Sequence, residues 1–418
     1  MKNIIVIYFL TIFVCFSCKE ENENPVLGEE VVTFKINKLP ENHNFEEDIF
    51  ISGDFEGWSG GRDQFKLNKK DEVYSISIPK YREIINFKFT KGNWESVECQ
   101  PDGNPIENRT YSFDGKDETI ELEIVNWSTA ESTESPSTAS ENVSIFEDNF
   151  LMPQLDRQRT IRVYLPPNYD NSEDNYPVLY IHDGQNVFDL KTSYSGEWEV
   201  DETLDKLYQE EGFSLIVVAI DNDGEKRLNE YSPWDHKKFG KGQGMVYAQF
   251  IVNTLKPKID QSFRTKTDKN NTAIMGSSMG GLISHYTALQ YPDVFGKAGV
   301  FSPSFWYSED VFDFSKKHSN TKDLRLYFLA GGKEGGNPTF EGISKTAKDM
   351  NTMIDVLKSG GFPAENINSK IEPEGEHNEK LWRNSFEEAI TWLFKLKNKK
   401  IKYEKTNLTI NNSGAFCL

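Results

Sequence analysis

Ser278 stands in Gly276-Ser277-Ser278-Met279-Gly280, a serine in G-x-S-x-G spacing. A short apolar run, Thr272 to Met275, stops at this turn, and Leu282, Ile283, Tyr286 and Leu289 follow at helical spacing as far as Pro292. Strand, sharp turn and helix together lift a serine Oγ clear of a sheet, because the flanking glycines let the backbone turn tightly. The competing reading is a turn rich in small residues. A serine hydroxyl is a poor nucleophile until an imidazole can take its proton. Of the six histidines, His43 lies in a separate N-terminal region, His318 in a polar stretch and His236 in an aromatic loop. His182 ends a strand, and His285 lies two turns along the helix that follows Ser278, where packing is its expected role. His377, in GEHNEKLW, follows the last candidate strand and precedes the final helix, so it is the expected base. The acid should lie between them, after the apolar run Leu324–Ala330. Glu334 is the only acid of Gly331-Gly332-Lys333-Glu334-Gly335-Gly336, and its carboxylate would hold the imidazole Nδ1–H. A surface glutamate beside Lys333 is the alternative. Two oxyanion donors are expected: the N–H of Met279, and one at Gln185 in the turn Asp183-Gly184-Gln185-Asn186. This chemistry needs neither metal nor cofactor.

The elements that must carry these residues occupy about 143–400. Ile161–Leu165 alternates and suits an antiparallel or edge strand. Val178–Ile181, Leu215–Ile220, Thr272–Met275, Ala298–Phe301 and Leu324–Ala330 are continuous apolar runs, as expected of parallel strands covered on both faces. Helical stretches at 200–210, 244–260 and 344–359 lie between them. The alternation indicates an open, doubly wound α/β sheet, whose ligands bind beyond the carboxyl ends of the strands. The words LYIHDGQNVFD, EYSPW, FIVNTLKPKID, AIMGSSMGGL, FSPSFW, GGKEG and GEHNEKLWR resemble the esterase family of α/β-hydrolases over roughly 145–396. That family includes enterochelin esterases, feruloyl and acetyl xylan esterases and S-formylglutathione hydrolase. The resemblance implies Ser278, Glu334 and His377 as a triad. Trp234, Phe305, Trp306 and Trp382 fall in the loops expected to wall the substrate cleft, and each could instead be core.

Residues of about 30–127 follow a different period. Val32–Ile36, Ile49–Gly53, Tyr74–Ile78, Ile85–Phe89 and Thr119–Leu122 are short alternating runs separated by turn residues, which indicates a small immunoglobulin-like β-sandwich. GDFEGW, INFKF, GNWESVE and ENRTY resemble the family-20 starch-binding carbohydrate-binding module. That resemblance implies a sugar site at Trp58, Lys88, Trp94 and Asn108, with the indoles stacking on sugar rings and a starch-like polysaccharide as a possible partner. The insertion Asp102-Gly103-Asn104-Pro105 departs from the family pattern. The alternative is a rigid spacer with both tryptophans packed inside.

Residues 128–142, STAESTESPSTASEN, contain almost nothing that can bury apolar area, and a mobile linker is expected. At the other end, Lys2, the apolar run Ile4–Phe16 and Cys18 resemble a bacterial lipoprotein signal, although Cys15 stands where leucine is usual. On this reading residues 1–17 are removed, Cys18 is lipidated and 18–29 form a tether. The protein is then exported to the outer membrane or cell surface, or to the periplasmic face, and its only membrane attachment is that anchor. Cys99 and Cys417 form no disulfide framework or metal spacing. The formal charge of −19 over 418 residues repels phosphate backbones, so nucleic acid is not an expected partner. No reading attaches to 401–418. The sequence therefore predicts an exported serine ester hydrolase for acyl- or feruloyl-decorated carbohydrate. A siderophore-ester hydrolase and a non-catalytic glycan-binding lipoprotein remain open.

Overall fold

The computed structural model describes residues 30–394 apart from 81–83, 104–105, 107, 114, 129–136, 194 and 335–342. The expected signal segment, Cys18, the tether and the tail after 400 lie outside the described residues.

The strands of the C-terminal domain are, in chain order, β1 Val143–Met152, β2 Arg157–Tyr164, β3 Val178–His182, β4 Ile216–Ile220, β5 Thr272–Ser277, β6 Lys297–Phe301, β7 Arg325–Gly331 and β8 Ile367–Glu372. They form one sheet in the order β1-β2-β4-β3-β5-β6-β7-β8. The first two pairings are antiparallel and the remainder are parallel. Strands β3 to β6 are buried along their whole length, which explains their unbroken apolar runs. Helices cover both faces, giving the doubly wound α/β-hydrolase sheet. Expected strand 161–165 is antiparallel, but β1 lies outside it and takes the edge. The periodicity of β1 is hidden because most of its residues are exposed or half-buried and its register against β2 shifts twice. The expected helix 244–260 spans two α-helical pieces, Gly244–Phe250 and Lys256–Ser262, joined by a π-helical turn at Ile251–Leu255.

The N-terminal domain packs a sheet of four strands, Val31–Lys38, Asn68–Lys70, Val73–Pro79 and Glu118–Glu123, against a three-stranded sheet of Phe50–Gly53, Ile84–Thr90 and Arg109–Ser112. Phe34, Ile36, Ile51, Phe87 and Phe89 fill the space between them. Cys99 is buried, and burial pushes its thiol up to about 11, so it is not a reactive group.

This domain does not sit apart. Gly57 has φ +86° and lies so close to Leu228 that a Cβ there would be 2.2 Å from Leu228 Cγ. Arg62 donates to the Glu225 carbonyl at 3.4 Å and lies over the Phe239 ring, while Lys238 lies over Phe65. The expected mobile linker is docked at its C-terminal end. Ser137 Oγ donates to Asp189 at 2.7 Å, Thr138 Oγ1 to Glu197 at 2.8 Å, and the Ser140 N–H to Asp201 at 2.7 Å. A segment with almost no apolar side chains is held here by hydrogen bonds to carboxylates, two of them buried, which composition alone does not reveal.

Candidate active site

Three loops at the carboxyl end of the sheet converge on one cleft. Ser278 follows β5 and begins the helix Met279–Gln290, with φ 57° and ψ −122°, a strained conformation for a residue with a side chain. Its N–H donates to the Phe301 carbonyl at 2.9 Å, and its own carbonyl accepts from Leu282 and Ser304. Gly276 is required because a Cβ there would meet the Gly280 carbonyl carbon at 2.8 Å. Among the described residues, the Ser278 Oγ has one hydrogen-bond partner, Ser304 Oγ at 3.3 Å. Met279 is the first residue of a helix whose opening amides lack intrahelical acceptors.

Glu334 follows β7 and is 1% exposed. Its Oε1 accepts from Ser302 Oγ at 2.5 Å and from the Gly331 N–H at 2.6 Å. Its Oε2 lies 2.9 Å from His377 Nδ1. Ser302 in turn accepts from Trp382 Nε1 at 2.8 Å, and the Trp382 ring stands edge-on to His377 at 5.3 Å. The imidazole is thus held from two sides, and both Ser278 and His377 line the cleft.

The turn after β3 forms another wall. Asp183 takes a left-handed conformation, φ 60°, and Gln185 is 3% exposed. The Gln185 Oε1 accepts from the Asn222 N–H at 3.1 Å, while its Nε2 has no partner among the described residues. Arg227 grips Asp183 with bonds of 2.7 and 2.8 Å, and Asn222 adds one of 2.6 Å. Burial alone would raise the Asp183 carboxyl, but the Arg227 guanidinium and these hydrogen bonds hold it below its ordinary value.

Sequence reasoning placed four aromatic residues on this wall, and the structure keeps one. Trp382 lines the cleft. Phe305 is fully buried against His285, Trp234 packs edge-on to Tyr286 and Phe314, and Trp306 packs against the core. Their side chains turn toward the helices, where apolar area is available. Trp198, which the sequence reading missed, stacks on Phe301 at 5.5 Å and 12° and lines the cleft beside Trp382. Its only signal is an aromatic residue two positions before a helix.

The N-terminal tryptophans are placed differently from a separate sugar surface. Trp58, Trp94 and Asn108 line the same cleft as Ser278 and His377. The two indoles are 5.9 Å apart, and Trp94 Nε1 donates to the Trp58 carbonyl at 2.9 Å, so that N–H is already used. Asn108 Oδ1 is buried without a partner among the described residues. Lys88 is corrected: it is 1% exposed and does not line the cleft. Its charge is felt instead by Glu379, a cleft residue that accepts from Ser195 Oγ at 2.5 Å. Burial raises Glu379 to about 7, against the Ser195 hydrogen bond and the nearby Lys88 and His377.

The remaining histidines are occupied elsewhere. His285 is fully buried against Ser315 Oγ and pushed by burial down to about 3, and His182, beside Tyr247, to about 4. His43 lies between Tyr74 and Trp127, and His236 packs on Phe239 and Tyr307.

A family described as "Putative esterase" matches residues 153–393, more than half of the chain. The chain belongs to this esterase family and is a carboxylic-ester hydrolase. It is 28% identical over 245 residues to the uncharacterized protein YbbA of Bacillus subtilis, covering 56% of this chain and 92% of that one. It is 29% identical over 261 residues to an endo-1,4-beta-xylanase/feruloyl esterase of Xylanibacter ruminicola, covering 60% of this chain but only 31% of that enzyme. Among solved structures, the enterobactin esterase of Shigella flexneri superposes with a TM-score of 0.50 at 14% identity, over 84% of this chain and 88% of that one. That likeness concerns the fold alone.

Proposed function

We propose that the protein is a serine esterase in which Ser278, His377 and Glu334 act as a triad on an acyl- or feruloyl-decorated carbohydrate. The Ser278 Oγ attacks the ester carbonyl carbon while the imidazole of His377 takes the Oγ proton. The N–H groups of Met279 and Gln185 receive the negative charge that builds on the carbonyl oxygen. The tetrahedral species collapses, the bond to the alcohol oxygen breaks, and His377 returns its proton to the leaving alkoxide. Water, deprotonated by the same imidazole, then releases the acid and restores Ser278. Glu334 keeps the Nδ1 proton in place and stabilises the imidazolium. The supporting observation is the convergence of a strained serine and a carboxylate-anchored histidine in one cleft. Replacing Ser278 by Ala should abolish p-nitrophenyl butyrate turnover while circular dichroism stays unchanged. Retained turnover would reject the mechanism.

The alcohol side is assigned to the sugar because Trp58 and Trp94 offer aromatic faces within the reaction cleft. Sugar binding and ester cleavage then occur in one composite site. A siderophore ester is the second reading, since four tryptophans in one cleft also suit a flat aromatic acyl group. A turnover screen over acetylated xylan, feruloyl-arabinose esters and an enterobactin-like triester separates the two. Export with lipidation at Cys18 completes the proposal. Metabolic labelling with a palmitate analogue should mark the wild-type chain and not Cys18→Ala.

A further inference from the structure

The segment Gly196-Glu197-Trp198-Glu199 leads into the helix Val200–Glu211, and three carboxylates meet there outside the proposed catalytic set. One oxygen from each of Glu197, Asp201 and Glu202 lies within 4.8 Å of the others. Two of the three are deeply enclosed, with Glu197 2% exposed and Asp201 fully buried, while Glu202 is exposed and opens the group to solvent. Each buried carboxylate has one oxygen held by a donor, Glu197 Oε2 by Thr138 Oγ1 and Asp201 Oδ2 by the Ser140 N–H. Among the described residues Glu197 Oε1 has no hydrogen-bond partner, whereas the Asp201 and Glu202 carboxyls are hydrogen-bonded to each other. No lysine or arginine forms an ion pair with any of the three among the described residues. Arg383 is close by, but it binds the Glu197 carbonyl and the Glu199 carboxylate.

Buried, unpaired carboxylate oxygens are costly, and three like charges at this spacing add repulsion. The N-terminal amides of the helix offset only about 0.3–1 kcal/mol of that. Two physical remedies exist: protonation or a cation. Carboxylate-only donors suit a hard divalent ion, and the exposed side of Glu202 leaves positions for the waters such an ion keeps. We propose that Glu197, Asp201 and Glu202 bind one divalent cation of the calcium type.

The position gives the ion a structural consequence. Thr138 and Ser140 tie the incoming end of the interdomain segment to the same two carboxylates that would hold it. Trp198, adjacent to Glu197, is a wall of the reaction cleft. Cation occupancy would brace both.

The test uses the full chain, treated with chelator and dialysed, then titrated calorimetrically with CaCl2 and separately with MgCl2. The expected result is saturable binding of one calcium ion per chain, with a Kd of roughly 10⁻⁶–10⁻³ M, and a rise in melting temperature. Both effects should weaken at least tenfold in Glu197→Gln and in the solvent-facing Glu202→Gln, each checked for fold by circular dichroism. Absence of saturable binding of either ion to folded wild-type protein at 10 mM would overturn the proposal in favour of carboxyls that share protons. Unchanged binding in both variants would overturn it in favour of a site elsewhere.

Discussion

Replacing Glu334 by Gln tests the arrangement around the imidazole most sharply. The Oε1 position accepts from two donors, the Gly331 N–H at 2.6 Å and Ser302 Oγ at 2.5 Å. Ser302 Oγ also accepts from the Trp382 indole N–H, so its own proton is directed at Glu334. The backbone N–H cannot reverse its role, and the glutamine must therefore leave its carbonyl oxygen at this end. Its NH₂ then faces His377 Nδ1, where Oε2 now lies at 2.9 Å. An amide donor at that point stabilises the tautomer whose Nδ1 is bare and whose Nε2 carries the proton, so Nε2 cannot accept from Ser278. Restoring the active tautomer sets N–H against N–H in a buried site, at about 1–3 kcal/mol for each unsatisfied donor. Losing the carboxylate also removes stabilisation of the imidazolium. Together these amount to about 4–5 kcal/mol, or roughly 10³–10⁴ in kcat/KM. The assay is p-nitrophenyl butyrate hydrolysis at pH 6–9, with thermal unfolding followed in parallel. A Glu334→Gln enzyme that folds normally and keeps more than a tenth of wild-type kcat/KM would refute the reasoning.

Trp58→Ala and Trp94→Ala should each raise KM for a sugar-linked ester by about five- to thirtyfold, the equivalent of 1–2 kcal/mol, and leave p-nitrophenyl acetate turnover nearly unchanged. Parallel kinetics on the two substrates decide it, and an equal loss on both would remove the sugar from the argument. Glu379 is raised to about 7, so it is largely neutral below that pH and anionic above it, where its charge supports the imidazolium of His377. Glu379→Gln should match wild-type kcat/KM at pH 6 and fall about three- to tenfold below it at pH 8. Because the folded-state value is raised, Glu379 contributes stability below about 4.5 that is lost as pH rises through 7. Urea unfolding of Glu379→Gln should therefore show a shallower decline across that window. Gly57→Ala places a Cβ 2.2 Å from Leu228 Cγ at φ +86°, and should destabilise the protein by about 1–3 kcal/mol, measured by denaturant midpoint. An unaltered midpoint would mean the domain contact yields freely.

The elbow around Ser278, the parallel strands β3 to β7 and the acid and histidine loops are legible in the sequence because each depends on local order. Apolar runs announce strands buried on both faces, glycines announce a tight turn, and the chain order of Ser278, Glu334 and His377 follows from strands met in succession. Strand β1 and the docking of Ser137–Ser140 are not legible, since one is mostly exposed and the other is held by hydrogen bonds to residues fifty or more positions away. The walls of the cleft depend on the same kind of long-range contact. What a tryptophan meets is set by the surface that lies across from it: Trp198 and Trp382 are buried in the core yet line the cleft, whereas Trp234 packs on Tyr286 and Phe314. The sequence alone marks Trp58 and Trp94 as an aromatic pair of a β-sandwich. Contacts between the domains, Gly57 on Leu228, Arg62 on Glu225 and Phe239, and Lys238 on Phe65, bring that pair to the cleft that Ser278 lines.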